Sequence, residues 1–422
     1  MIGRFLRRTG FLGAVLAGLA LACASAQAEQ PWAPARLETL HTFLRGATND
    51  QGYLGAVSLI VHEGRVVDVG VYGYEDLARR RPMRRDAIFR IYSMTKTVTS
   101  VALMMLVEEG KVTLDQPLAY VLPGFDAPRV LNRGPDGAPV SRAASRRITL
   151  RDLLTHTAGY PAGLPGDEPA LAAMERAHPH GANDLAGFTE RMRNVPLAAD
   201  PGTRFGYDGA AIELIARVVE VVSKKPFPVF LHERIFVPLD MRDTGFSVPA
   251  NERHRVVDLT RMGNDGRLVL DGSPSAQHPG DALNRYASGA GGLYATVDDY
   301  AHFAQMLLDG GRYRDHVLLG RKTVAFMLSN QLGMLDPPVD QFSAGEGFGI
   351  GGYVVLDPAL RGQLGSVGQY GWSGAASTTY TIDLGERLIA ILMLQHLPRD
   401  DGGYDLPRLA RPFYDLVYHA LP

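Results

Sequence analysis

The chain has 422 residues, 46% hydrophobic and 21% charged. This is ordinary globular composition and excludes a disordered or collagen-like protein. Its 43 Lys+Arg nearly balance 45 Asp+Glu, a net charge of −2, so a nucleic-acid or anionic-membrane partner has no electrostatic support. The single cysteine, Cys23, excludes an internal disulfide and a Cys-based zinc site.

Arg4, Arg7 and Arg8, an apolar run over 11–22 and then Ala26-Gln27-Ala28 read as a secretory signal peptide over residues 1–28. The apolar run is too short for a comfortable membrane span. The mature chain, 29–422, is therefore expected to be periplasmic or secreted, with no transmembrane span. Arg7-Arg8 weakly resembles a twin-arginine signal. Ala20-Leu21-Ala22-Cys23 weakly resembles a lipoprotein box, which gives an alternative: a lipoprotein anchored through Cys23.

In chain order, residues 35–46 place Leu37, Leu40, His41 and Leu44 on one helical face. Residues 54–62 and 66–72 are β-branched runs joined by Glu63-Gly64-Arg65, which predicts a hairpin. Residues 87–92 read as a further short strand. Residues 94–109 form an apolar helix stopped by Gly110. The Pro-, Gly- and Arg-rich stretch 122–147 reads as a long loop, 149–156 as a short helix closed by Gly159, and 161–183 as irregular. Helices follow over 210–222 and 228–235. Residues 271–292 read as loop, ending in Ser288-Gly289-Ala290-Gly291-Gly292. In the helix over 297–308, Asp298 and Asp299 suit the N-terminal dipole. Strands are expected over 348–356, 368–372, 377–383 and 388–395, and a closing helix over 406–419. Strands at both ends with helices between them predict an α+β fold. One antiparallel sheet from both chain ends is flanked by helices, and a central, mostly helical lobe is inserted between its halves. The sheet lobe takes about 29–110 and 285–422, the helical lobe about 111–284, and the ligand cleft lies between them.

Three groups of residues carry chemistry. Ser93-Met94-Thr95-Lys96 lies where a strand-like run enters a helix, so Ser93 falls near free backbone N–H groups and the positive end of the dipole. Lys96 follows one turn later on the same face. A serine hydroxyl needs a base to become nucleophilic, and a lysine buried in an apolar helix sheds its proton more readily than a solvated one. The chain has only five lysines, so a chance Ser-x-x-Lys is uncommon; its bland reading is an N-cap serine and a solvated lysine. Tyr207, in Phe205-Gly206-Tyr207-Asp208-Gly209 ahead of a helix, is either a proton-transfer group or a core tyrosine. Trp372-Ser373-Gly374-Ala375 stands at a break between two strands, where Gly374 admits a close ligand or simply a bulge. A strand N–H beside Gly374 could complete an oxyanion hole with the N–H of Ser93.

The order Ser-x-x-Lys, Tyr, then a Gly-containing strand triplet resembles the serine β-lactamase and penicillin-binding-protein superfamily, over nearly the whole mature chain. Leu153-Leu154-Thr155-His156-Thr157-Ala158-Gly159 and Gly291-Gly292-Leu293-Tyr294-Ala295-Thr296 are supporting stretches. The motif form is similar to the class C branch and, within it, to the family VIII carboxylesterases. The resemblance implies a β-lactamase/transpeptidase-like fold, Ser93 as nucleophile, Lys96 as its activating partner and Tyr207 as the second-motif tyrosine. It implies Trp372-Ser373-Gly374 as the third motif, and the N–H groups of Ser93 and Ala375 as the oxyanion hole. His156 is expected to support packing. The pattern departs from class C β-lactamases at two positions: Gly209 stands where their Asn would, and Trp372 where their Lys would.

The sequence therefore points to an exported serine hydrolase working through an acyl-enzyme, foremost a carboxylesterase on small to medium esters. The alternatives are a β-lactamase or D-amino-acid peptidase of the cell wall, and a non-catalytic receptor for peptidoglycan fragments or antibiotics. The expected partner is a small-molecule ester or amide. No cofactor or metal is expected: the histidines show no His-Glu-x-x-His pattern, and His178 and His180 flank Pro179 in a stretch that reads as loop.

Overall fold

Glu63 and Gly64 take positive φ angles of 51° and 74°, the geometry that matches a two-residue hairpin to strand twist. They fold Gly55–His62 (β1) back on Arg65–Gly73 (β2). Ahead of the hairpin lies the helix Pro34–Ala47 (α1). The computed structural model describes residues 32–134, 137–333, 335 and 344–422; the expected signal peptide and Cys23 lie outside them. No helix among the described residues is long and apolar enough to cross a membrane.

The other strands come from the far end of the chain: Glu346–Phe348 (β3), Tyr353–Val355 (β4), Tyr370–Ser373 (β5), Thr379–Asp383 (β6) and Leu388–Met393 (β7). They join the hairpin in one antiparallel sheet of seven strands, order β3-β4-β5-β6-β7-β1-β2. The two chain ends meet where β1 pairs β7, with Val57 opposite Met393 and Leu59 opposite Ile391. Both strands are buried on both faces, and alternation sorts their side chains. Val57, Leu59, Ile389, Ile391 and Met393 enter the main core. Ala56, Ile60, Leu388, Ala390 and Leu392 enter a second core, beneath α1 and the closing helix Ala410–Ala420 (α6).

On the main-core side, Thr95–Glu108 (α2) is buried all round from Thr95 to Leu106, as befits a central helix. It stops at Gly110, with φ 66°. Leu150–Leu154 (α3) opens with a reciprocal cap, in which Thr149 and Asp152 satisfy each other's backbone N–H. Ala210–Ser223 (α4) packs on α2, and Val297–Leu308 (α5) packs under β1 and β7.

Several segments differ from their sequence reading. The stretch 122–147 holds a hairpin, Arg129–Arg133 with Pro139–Ala143; its outer strand is fully exposed, so no apolar alternation marks it. The stretch 161–183 contains the helix Glu168–Ala177, whose packed face is mostly alanine. Residues 348–356 are two strands, because Gly349–Gly352 turns the chain, with Gly351 at φ 87°. In 87–92 only Phe89–Arg90 forms a strand, against Tyr294–Ala295, while Ile88 makes a lone parallel bridge to Val256.

Candidate active site

Tyr92 holds φ at 40°, a costly value for a bulky residue. It starts a single 3₁₀ turn, Tyr92–Met94, that carries Ser93 onto the start of α2. Lys96 follows one turn on and is 4% exposed. Its Nζ donates to Ser93 Oγ at 2.9 Å and to the Ala290 carbonyl at 2.7 Å.

Tyr207 is presented from the turn ahead of α4. Asp208 fixes that turn by accepting the Ala211 N–H at 2.7 Å, one of the first-turn donors a helix leaves unmatched. The Tyr207 ring centroid lies 5.0 Å from Lys96 Nζ, close enough for a cation–π contact. Tyr207 Oη accepts the indole N–H of Trp372 at 3.1 Å, and the two rings tilt together at 5.0 Å. His156, at φ 54°, packs its ring 4.7 Å from that of Tyr207 and edge-on to Phe205 and Phe348. Burial lowers the pKa of its imidazole, against the opposing pull of Asp208. Its surroundings are those of a core side chain.

Trp372 and Ser373 end β5, and Gly374 follows. A methyl group on Gly374 would stand 2.4 Å from the Ile91 carbonyl oxygen, so only glycine lets the strand lie against the segment leading into Ser93. Among the described residues the Gly374 N–H is taken by Thr378, whereas the Ala375 N–H donates to no protein acceptor. Ser93, Tyr207, Trp372, Ser373, Gly374 and Ala375 all line one cleft of about 610 Å³. Lys96 lies behind Ser93. The same cleft is also lined by Arg361, Arg399, Arg408 and Arg411, with Glu346 and Asp400. Arg361 is paired with Glu346, and Arg399 with Asp401.

Gly209 faces Ala290, with space for a side chain: a methyl group there would sit 3.9 Å from the Ala290 methyl. Sequence reasoning passed over Glu213, Ser288 and Ala290, which stand beneath Lys96. Glu213 accepts from Ser288 Oγ at 2.5 Å and from the Gly289 N–H at 2.9 Å. Burial pushes its carboxyl up to about 7, while Ser288 and then Lys96 pull it back. The available signal was one acid in the otherwise apolar run 210–216 of α4. Among the described residues no group of three or more His, Cys, Asp and Glu could hold a metal ion.

Fold and comparison together define a β-lactamase-fold chain of the serine hydrolase superfamily that also contains the penicillin-binding proteins. It belongs to the Beta-lactamase family, whose model matches residues 37–412. Among similar proteins is Protein Rv1367c of Mycobacterium tuberculosis, 33% identical over 83% of this chain and 88% of that protein. Esterase EstB of Burkholderia gladioli is 26% identical over 82% of this chain and 87% of its own length. The solved structure of EstCE1, a hydrolase with promiscuous acyltransferase activity, superposes at TM-score 0.71. It is 22% identical, over 92% of this chain and 98% of that one. The fold and superfamily read from the motifs are thereby confirmed.

Proposed function

We propose that this protein is an exported carboxylesterase that hydrolyses small to medium esters through an acyl-enzyme on Ser93. One observation carries the reading: Lys96 Nζ sits 2.9 Å from Ser93 Oγ, at the wall of a cleft that Tyr207 and Trp372 also line. Ser93 Oγ attacks the ester carbonyl and gives its proton to the Lys96–Tyr207 pair. The oxyanion rests on the N–H groups of Ser93 and Ala375. Tyr207 returns a proton to the leaving alkoxide, and water then releases the acid by the reverse sequence. Trp372 offers an apolar face and no full charge, and Gly209 offers no amide, so the acyl-binding end favours neutral groups. The likeness to Esterase EstB supports the same reading.

The cell-wall alternative, a β-lactamase or D-amino-acid peptidase, is favoured by one feature, the four arginines among the cleft's lining residues. A hydrolysis panel separates the two. We expect kcat/KM for a neutral short-chain aryl ester to exceed that for a cephalosporin or a D-Ala-D-Ala peptide by at least about 10²-fold, roughly 2.7 kcal/mol. The reverse ranking overturns the esterase reading. A serine-reactive phosphonate mapped by peptide mass spectrometry should mark Ser93. Labelling elsewhere with Ser93 untouched removes the nucleophile assignment, and neither labelling nor turnover would leave a binding protein.

A further inference from the structure

Glu213 is 1% exposed in a helical turn that is buried all round, between Ala211, Ile212, Leu214 and Ile215. A carboxyl group in such a place is expensive to bury. Among the described residues no ion pair includes it. The titratable groups bearing on it are Lys96 from α2 and Tyr286 from the segment before the turn. His180 Nδ1 stands 3.0 Å from the Tyr286 hydroxyl.

What the carboxyl does hold is the backbone turn that holds Lys96. Its two oxygens take the Ser288 hydroxyl and the Gly289 N–H. Ser288 Oγ in turn accepts the Gly291 N–H at 3.1 Å, and the Ser288 carbonyl accepts the Gly292 N–H at 3.0 Å. From the other side, Thr99 Oγ1 donates to the Gly289 carbonyl at 2.7 Å. The turn has no slack: a methyl group on Gly289 would meet Ala216 Cβ at 2.6 Å and Thr99 Cγ2 at 3.2 Å. Clamped between α4 and α2, it aims the Ala290 carbonyl at Lys96 Nζ, 2.7 Å away.

We propose that Glu213 is a positioning residue for Lys96. It fixes the turn 288–292 that orients the ammonium group toward Ser93, and it places a negative charge beneath that group. The inference rests on the reading that Lys96 activates Ser93. A residue that only stabilised the fold would change the melting temperature and leave the chemistry of the folded molecules alone. Charge and reach can be varied separately. Glu213→Gln keeps the reach and loses the charge. Glu213→Asp keeps the charge and loses one methylene of reach.

The test measures kcat, KM and the pH profile of ester hydrolysis, with single-pH rates taken at about pH 8.5, above the carboxyl midpoint of about 7. In Glu213→Gln, kcat should fall about tenfold with KM changed less than about threefold. The acidic limb of kcat/KM should move to lower pH by about half a unit, because less negative charge lies beneath the group that must shed its proton. In Glu213→Asp, kcat should fall similarly while the limb stays in place. Ser288→Ala, which removes the bridging hydroxyl and leaves the acid intact, should also lose about tenfold in kcat; it decides the matter if the Glu213 variants do not fold. Wild-type kcat and an unmoved limb in these variants, with Lys96→Ala inactive, overturn this inference alone. Full activity in Lys96→Ala overturns the functional reading and this inference with it.

Discussion

Trp372 lines the cleft beside Ser93, and its indole N–H is already committed to Tyr207 Oη at 3.1 Å. It therefore shapes the cleft and also holds the proton-transfer tyrosine of the proposed mechanism. Trp372→Phe keeps an aromatic face and deletes that donor. A hydrogen bond to a group on which charge develops contributes about 1.5–3 kcal/mol. We expect kcat/KM to fall by about 10–100-fold, measured beside a circular dichroism spectrum that shows the fold intact. Unchanged turnover would reduce Trp372 to a wall. Glu213 makes a prediction of its own for stability. Its folded value of about 7 lies above the 4.5 of a free carboxyl, so the folded chain holds this proton more tightly than the unfolded one. That contribution is fully present below pH 4.5 and is lost as the pH rises through about 7. Glu213→Gln cannot ionise, so between those limits it should gain on wild type by on the order of 3 kcal/mol, read from urea midpoints. Burial lowers the pKa of the imidazoles of His156, His180, His302 and His396. They act in the opposite sense, and being common to both proteins they cancel. Parallel pH curves would mean that ionising Glu213 costs the fold nothing.

At the scale of elements, the approach of β5 to the entry of α2 sets the geometry between Ser93 and Ala375. A methyl group on Gly374 would meet Thr378 Oγ1 at 2.3 Å and the Ile91 oxygen at 2.4 Å, so Gly374→Ala must push the strand end off the serine turn. A displacement near 1 Å costs about 10² in rate. We expect that loss in kcat, with KM less affected and phosphonate labelling of Ser93 slowed in proportion. Equal labelling rates would show that the strand end is not what aligns the site. Elements announced by apolar periodicity were legible in the sequence: β1, β2, α2, α5, β6 and β7 lie where the pattern puts them. The exposed hairpin Arg129–Arg133 with Pro139–Ala143 and the alanine-faced helix Glu168–Ala177 were not. Neither buries large side chains in the alternation that betrays a strand or helix.

For the molecule as a whole, the residues that meet at the candidate site were legible wherever a short motif coincided with an element boundary. Ser93 and Lys96 at a helix start, Tyr207 before a helix and Gly374 after a strand all met this condition. Glu213 and Ala290 were hidden, because their role depends on α4, α2 and the 288–292 turn coming together in space. The pairing of β1 with β7 has a further consequence, for the making of the protein. The first hairpin leaves the ribosome early, but its inner neighbour is among the last segments to be synthesised. A chain ended after Arg387 lacks β7 and α6. It should show no cooperative urea transition, and a sharp one would refute the dependence. Such long-range closure is slow. Until translation ends, Leu59 and Ile60 belong to an apolar ribbon whose β1 edge is bare, open to aggregation and available to any holding chaperone.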